Sequence, residues 1–172
     1  NNSTYSSNGL SGLASLQVGG TAGCTDELAF NYDSNATVDD GSCQDTPLGN
    51  TPDTDCNSTI LIQPQTSITI DGNPLSLGSW IGVFYTDDNG GLAFGGGTQW
   101  NGEVTSIAAW GDDSQTTEKD GFADGEEYIW YIYDQSTLET IAAPSVVYMD
   151  APYNNTTYSC NGLSGLSSLQ VG

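Results

Sequence analysis

The sequence predicts an all-β fold, an antiparallel β-sandwich of immunoglobulin-like or jelly-roll-like type that carries a small disulfide-stapled loop module. Three observations predict it. Between residues 57 and 160, short runs rich in Val, Ile, Thr and aromatic residues alternate with Gly, Asn, Asp and Pro turns. Four Trp, nine Tyr and four Phe supply enough large apolar surface to fill a core. Four cysteines in a chain without histidine, two of them bracketing a compact acidic loop, favour disulfides and an oxidising exterior.

Residues 1–18 read as the tail of a preceding unit: an extended NSTYS, Asn8 as an N-cap, then Leu10, Leu13 and Leu16 at intervals of three, which suggest one or two helical or 3₁₀ turns. Gly19 and Gly20 form a hinge. Residues 19–56 comprise the loop module, GCTDELAFNYDSNATVDDGSC, and a Pro- and Asp-rich linker. Residues 57–160 form the sandwich, with strands in TILIQ, TSITI, SWIGVFY, LAFGG, EVTSIAAW, EEYIWYIY, LETIA and SVVYM. Turns fall at Asp71-Gly72-Asn73-Pro74, at 87–91, over a long acidic loop from Gly111 to Gly125, and at 134–136. The expected core is Ile60, Ile62, Ile68, Ile70, Trp80, Val83, Phe84, Ile107, Trp110, Ile129, Ile132 and Val147. Residues 161–172 are expected to be a tail leading to the next unit, with Leu163, Leu166 and Leu169 copying the leucine spacing of the first segment.

That copy extends further. Residues 1–19, NNSTYSSNGLSGLASLQVG, return at 154–172 as NNTTYSCNGLSGLSSLQVG, and only Ser3/Thr156, Ser7/Cys160 and Ala14/Ser167 differ. A period of this length encloses a self-sufficient core, unlike a solenoid repeat, and points to folded units arrayed end to end.

One Lys, no Arg and 22 acidic residues give a formal net charge of −21. Phosphate-mediated nucleic-acid binding and adsorption to anionic membranes need clustered cations that this chain lacks. No apolar run approaches a membrane span. Neighbouring units so charged repel one another unless divalent cations or salt screen them.

Four cysteines permit three connectivities. Cys24 with Cys43 would close a short loop, and Cys56 with Cys160 would tie the start of the β region to its end. Ser7 stands where the second copy has Cys160, so this staple is dispensable in at least one unit. A Cys₄ zinc site is disfavoured because no CxxC spacing occurs.

Within the first cysteine loop, Asp26, Asn31, Asp33, Asn35, Asp39 and Asp40 offer hard oxygen ligands, and Gly41 permits a sharp turn, which suits Ca²⁺. The competing reading has these side chains capping turns of a stapled loop. A second acidic stretch offers Asp112, Asp113, Glu118, Asp120, Asp124 and Glu126, where a solvated loop with Lys119 as local counter-charge is the simpler reading. An intramolecular isopeptide bond at Lys119 is disfavoured by its loop position. Sequons at Asn1, Asn2, Asn35, Asn57, Asn154 and Asn155 are expected by chance in so Asn/Ser/Thr-rich a chain. Catalysis finds little support, since there is no histidine base, nucleophile elbow or phosphate loop; a carboxylate pair could run glycoside hydrolysis, but nothing singles one out among 22 acidic residues.

The run GCTDELAFNYDSNATVDDGSC resembles a short motif that recurs in very large secreted surface proteins of Bacteroidetes, alongside β-sandwich repeats and type IX secretion signals. The stretches IGVFYTDDNGGLAFGGGTQW, SIAAWGDD, EKDGFADGEEYIWYIYD and YSCNGLSGLSSL are similar to the sandwich repeat of those proteins. The resemblance implies an extracellular, repetitive fibre or adhesin at the cell surface and identifies no activity. The sequence thus leads to a non-enzymatic structural unit, joined head to tail to neighbouring repeats or identical subunits, either by simple succession or by donation of segment 1–18 to a neighbour's sheet. The alternative is a carbohydrate-binding adhesin domain that stacks glycans on Trp100, Tyr128, Trp130 or Tyr133.

Overall fold

The computed structural model describes residues 19–172. The strands are β1 (Ala22–Gly23), β2 (Val38–Asp39), β3 (Asn57–Ile70), β4 (Asn73–Pro74), β5 (Trp80–Thr86), β6 (Leu92–Gln99), β7 (Thr105–Trp110), β8 (Ile129–Asp134), β9 (Glu139–Ala142), β10 (Ser145–Tyr148) and β11 (Leu163–Val171). No helix occurs among the described residues. β1 and β2 form a small parallel sheet of their own; of the two larger sheets, the first runs β10-β11-β3-β4, with β7 also pairing β3, and the second runs β6-β5-β8-β9. Their inner faces enclose a shared core that includes Ile60, Ile62, Ile81, Val83, Ile107, Ile132, Leu166 and Leu169.

Period-two alternation assigns each strand its faces. Ile81, Val83 and Tyr85 of β5, with Trp130 and Ile132 of β8, point into the core. Trp80, Phe84, Tyr131 and Tyr133 point the other way and pack around Leu48 and Phe94. The loop module therefore lies on the outer face of the second sheet. Gly82 makes this seat possible: a Cβ there would come within 2.6 Å of Leu48 Cδ1. Phe30 adds an edge-on contact to Tyr133, with ring centroids 5.7 Å apart.

Of the expected core, Ile60, Ile62, Ile68, Val83, Ile107 and Ile132 are buried, whereas Ile70, Trp80, Phe84, Trp110 and Ile129 are half-buried. Val147 is 53 % exposed. On the short strand β10 its neighbours Val146 and Tyr148 take the inward positions, so alternation turns Val147 outward.

The largest departure concerns residues 161–172, which are neither a tail nor a helical turn. Residues 163–171 are an inner strand, paired parallel to β3 from Leu163↔Thr59 to Val171↔Ile70 and antiparallel to β10 from Tyr148↔Leu166 to Ser145↔Gln170. The register shifts between Leu166 and Ser168, leaving Ser167 outside both ladders. That extra residue resets the alternation, so Leu166 and Leu169, three apart, both face inward and are fully buried. The opposing irregularity in β3 holds Pro64, a residue that cannot donate to a ladder. Thr66 Oγ1 bridges the gap, accepting from Gln63 N at 3.1 Å and donating to Leu166 O at 3.0 Å. The sandwich accordingly extends to Val171, and the expected boundary at residue 160 falls inside it. The turns predicted at Leu10, Leu13 and Leu16 lie outside the described residues.

Candidate functional site: the closing strand, its disulfide and the acidic loops

Both disulfides form, Cys24–Cys43 with a sequence separation of 19 and Cys56–Cys160 with a separation of 104, and no cysteine is free. The second sits at one end of the sandwich, where Cys56 precedes β3 and Cys160 precedes β11. A dense set of contacts surrounds it. Asn161 N donates to Asn57 O (2.9 Å), Thr59 N to Gly162 O (2.9 Å) and Gly111 N to Cys56 O (2.9 Å). Tyr158 is buried, donates its hydroxyl to Cys56 O at 3.2 Å and stacks on Phe122 at 5.7 Å. Asn155 Nδ2 donates to Leu163 O at 3.1 Å, and Gly165 leaves room for Met149, whose Sδ would lie 2.7 Å from a Cβ there. Residues 154–171 thus form one cassette that closes the sandwich, with Tyr158 as its plug and β11 as its strand.

In the loop module the acidic residues cap turns. Asp26 Oδ1 accepts from Leu28 N, Asp33 Oδ1 from Asn35 N, Asp39 Oδ1 from Gly41 N and Asp40 Oδ1 from Ser42 N, at 2.8–3.0 Å. Asn31 ties the middle of the loop to its C-terminal end on either side of Cys43, donating to Ser42 O at 2.6 Å and accepting from Gln44 N at 2.8 Å. The side chain of Asn35 donates to Asp33 as well. Hydrogen bonds from the Ser42 hydroxyl and amide hold the Asp40 carboxyl below the usual range. No group of three His, Cys, Asp or Glu side chains that could hold a metal converges among the described residues.

The second acidic loop is organised by Lys119, which serves as the local counter-charge expected of it but is half-buried instead of fully solvated. Its Nζ donates to Thr86 O (2.5 Å) and Glu126 Oε2 (2.7 Å) and lies 5.3 Å from the centre of the Tyr85 ring. Its amide donates to Asp88 Oδ2 at 2.8 Å. Asp112 and Asp120 accept backbone donors from across the loop, Asp113 caps the turn at Gln115, and Thr116 donates to Asp120 Oδ2. Glu118 and Asp124 take no part in these side-chain bonds. Sequence reasoning missed Phe122, a fully buried ring inside this otherwise hydrophilic stretch.

Burial opposes ionisation of Glu126, but hydrogen bonds from Lys119, Thr86 N and Ala123 N outweigh it and hold its carboxyl below the usual value of 4.5. A lowered folded-state pKa stabilises the fold above the unfolded value, and this is lost as pH falls through the folded one. Glu126→Gln is therefore expected to lower stability by about 1 kcal/mol or less near neutral pH after allowance for solvent screening, with the difference vanishing well below pH 4.5. Denaturant titrations from pH 7 downward check this; a gap that does not narrow as pH falls below 4.5 would refute the assignment.

The four aromatics considered for glycan stacking are core residues. Trp100, Tyr128, Trp130 and Tyr133 are all buried. Tyr128 donates to Ser58 Oγ at 3.0 Å, and Trp130 Nε1 donates to the Tyr148 hydroxyl at 3.1 Å. Burial pushes the Tyr148 phenol up to about 12. They present no solvent-facing platform because alternation turns Trp130 and Tyr128 into the core, while the loop module covers Tyr133.

No helix among the described residues is long and apolar enough to cross a membrane. Comparison with protein-family models, with curated proteins and with solved structures found no match to this chain.

Proposed function

We propose that this chain is a structural repeat of an extracellular filament or giant cell-surface adhesin, built of sandwiches that follow one another head to tail. The observation that carries the reading is the terminal duplication: the segment written twice is the cassette that closes the sandwich, strand and plug together. A chance local similarity would have no reason to coincide with one structural unit. Two disulfides suit an oxidising exterior, and a net charge of −21 suits a medium rich in salt and divalent cations. The reading requires no turnover.

Calcium belongs to this proposal as counter-ion to that charge. Carboxylate oxygens not used in turn capping at Asp26, Asp33, Asp39 and Asp40 remain open to it. Electron microscopy of native material is expected to show threads with a regular axial period, which loosen or fragment on chelation. Isolated monomers in the native preparation would overturn the proposal. Calcium chloride compared with sodium chloride at matched ionic strength separates a bound ion from screening: equal stiffening by the two salts removes specific calcium binding.

A further inference from the structure

We propose that residues 1–18 are the closing cassette of a different sandwich: in a second copy of this fold they take the place that 154–171 fill here, with 10–18 as that copy's β11. This names the joint between units and deepens the repeat reading, on which it rests for its biological setting.

The residues that differ between the two copies support it. Ser3/Thr156, Ser7/Cys160 and Ala14/Ser167 are the only changes, and Thr156, Cys160 and Ser167 are all exposed in the structure. Every buried position of the cassette is repeated unchanged: Tyr158, Ser164, Gly165, Leu166 and Leu169 recur as Tyr5, Ser11, Gly12, Leu13 and Leu16. Ser167, the only change within the strand, lies at the bulge outside both ladders, where alanine costs no cross-strand partner. Asn155, which caps the Leu163 carbonyl, recurs as Asn2, and Asn161, which adopts a positive φ of 58°, recurs as Asn8. The first copy therefore carries all that the slot between β3 and β10 demands of its occupant. No generic sheet edge would demand a tyrosine plug and two leucines either side of a bulge.

One feature separates the copies. Cys160 locks its strand to Cys56, and Ser7 cannot. In the oxidised chain the resident strand is covalently held and wins the slot. Once that disulfide is open, the two cassettes offer the same buried contacts, and the resident one keeps only the advantage of its tether, an effective concentration on the order of millimolar. Strand exchange between copies is thus gated by the Cys56–Cys160 bond.

The test moves the lock. A full chain carrying Ser7→Cys with Cys160→Ser, prepared as an equal mixture of ¹⁵N-labelled and unlabelled protein, is refolded and oxidised, and disulfide-linked peptides are identified by mass spectrometry. The expected result is linkage of position 7 to Cys56, with about half of the linked pairs mixed in label and a ladder of multimers on a non-reducing gel. A free thiol at position 7, or linked pairs of a single label only, overturns the proposal. Adding Leu16→Asp is expected to reduce the linkage at least tenfold, and its persistence would equally refute the joint. Should the double variant fail to fold, a labelled peptide of residues 1–18 added to the wild-type chain decides. Binding to the reduced and not to the oxidised chain, abolished by Leu16→Asp in the peptide, is expected, and no binding to folded, reduced chain overturns the proposal. Threads seen by microscopy alongside an unlinked position 7 would sink the joint and leave the repeat reading standing.

Discussion

Phe122→Ala is expected to destabilise the sandwich by about 3–5 kcal/mol, the range for removing a fully buried aromatic ring from a core that collapses only partly. The ring is 1 % exposed and is enclosed by Tyr85, Tyr128 and Tyr158 at centroid distances of 5.6, 5.2 and 5.7 Å. Its backbone joins the same region: Phe122 N donates to Trp110 O and Asp112 N to Phe122 O, both at 2.9 Å. Losing the ring opens a cavity lined by tyrosines that point into the core, and the acidic loop loses its only apolar anchor. Equilibrium urea unfolding measures the loss, and Phe122→Leu should recover most of it. A cost below 1 kcal/mol would mean that the loop is not part of the core.

Removing the second disulfide is expected to have an effect of similar size through the unfolded state. A bond closing a loop of about 100 residues restricts the denatured chain by about 4.7 kcal/mol in the chain-entropy treatment, against about 3 kcal/mol for a loop of about 15 residues. The separations of 104 and 19 place the two bridges near those limits. Cys160→Ser should lower the melting temperature by roughly 10 °C or more at this chain length. Cys24→Ser should leave the melting of the sandwich largely unchanged, because the module packs on an outer face. Calorimetry of both variants beside the oxidised wild type distinguishes them. Equal effects from the two substitutions would contradict the division of labour between the bridges.

The fold class was legible because most of its strands obey alternation and are separated by Gly, Asn and Asp turns. Of the three connectivities the sequence left open, the one observed is that in which Cys24 and Cys43 close the module's loop and Cys56 and Cys160 join the start of the β region to its end. Three features escaped. The strand at Leu163–Val171 was hidden by its bulge, which turns a two-residue period into leucines three apart, and by a composition of Leu, Ser and Gly that lacks β-branched residues until Val171. Phe122 was hidden by its polar neighbours, although a lone phenylalanine between Gly121 and Ala123 in so acidic a loop was a usable signal. The module's carboxylates were ambiguous because Asx turns and calcium loops draw on the same residues. The spacing i to i+2 between Asp33 and Asn35, Asp39 and Gly41, and Asp40 and Ser42 is that of turn capping.

The parallel pairing of the first long strand with the last has a mechanical corollary. The backbone enters β3 beside Cys56 and leaves β11 at Val171, at opposite ends of the same ladder. Traction on the two termini would therefore load that ladder lengthwise, all rungs in shear at once, instead of unzipping them singly. With the Cys56–Cys160 bridge intact, the covalent line of force crosses the sulfurs and omits the intervening stretch, roughly 350 Å of slack at about 3.4 Å per residue. An oxidised unit is a nearly inextensible strut, and its reduced form is a spring with a long throw.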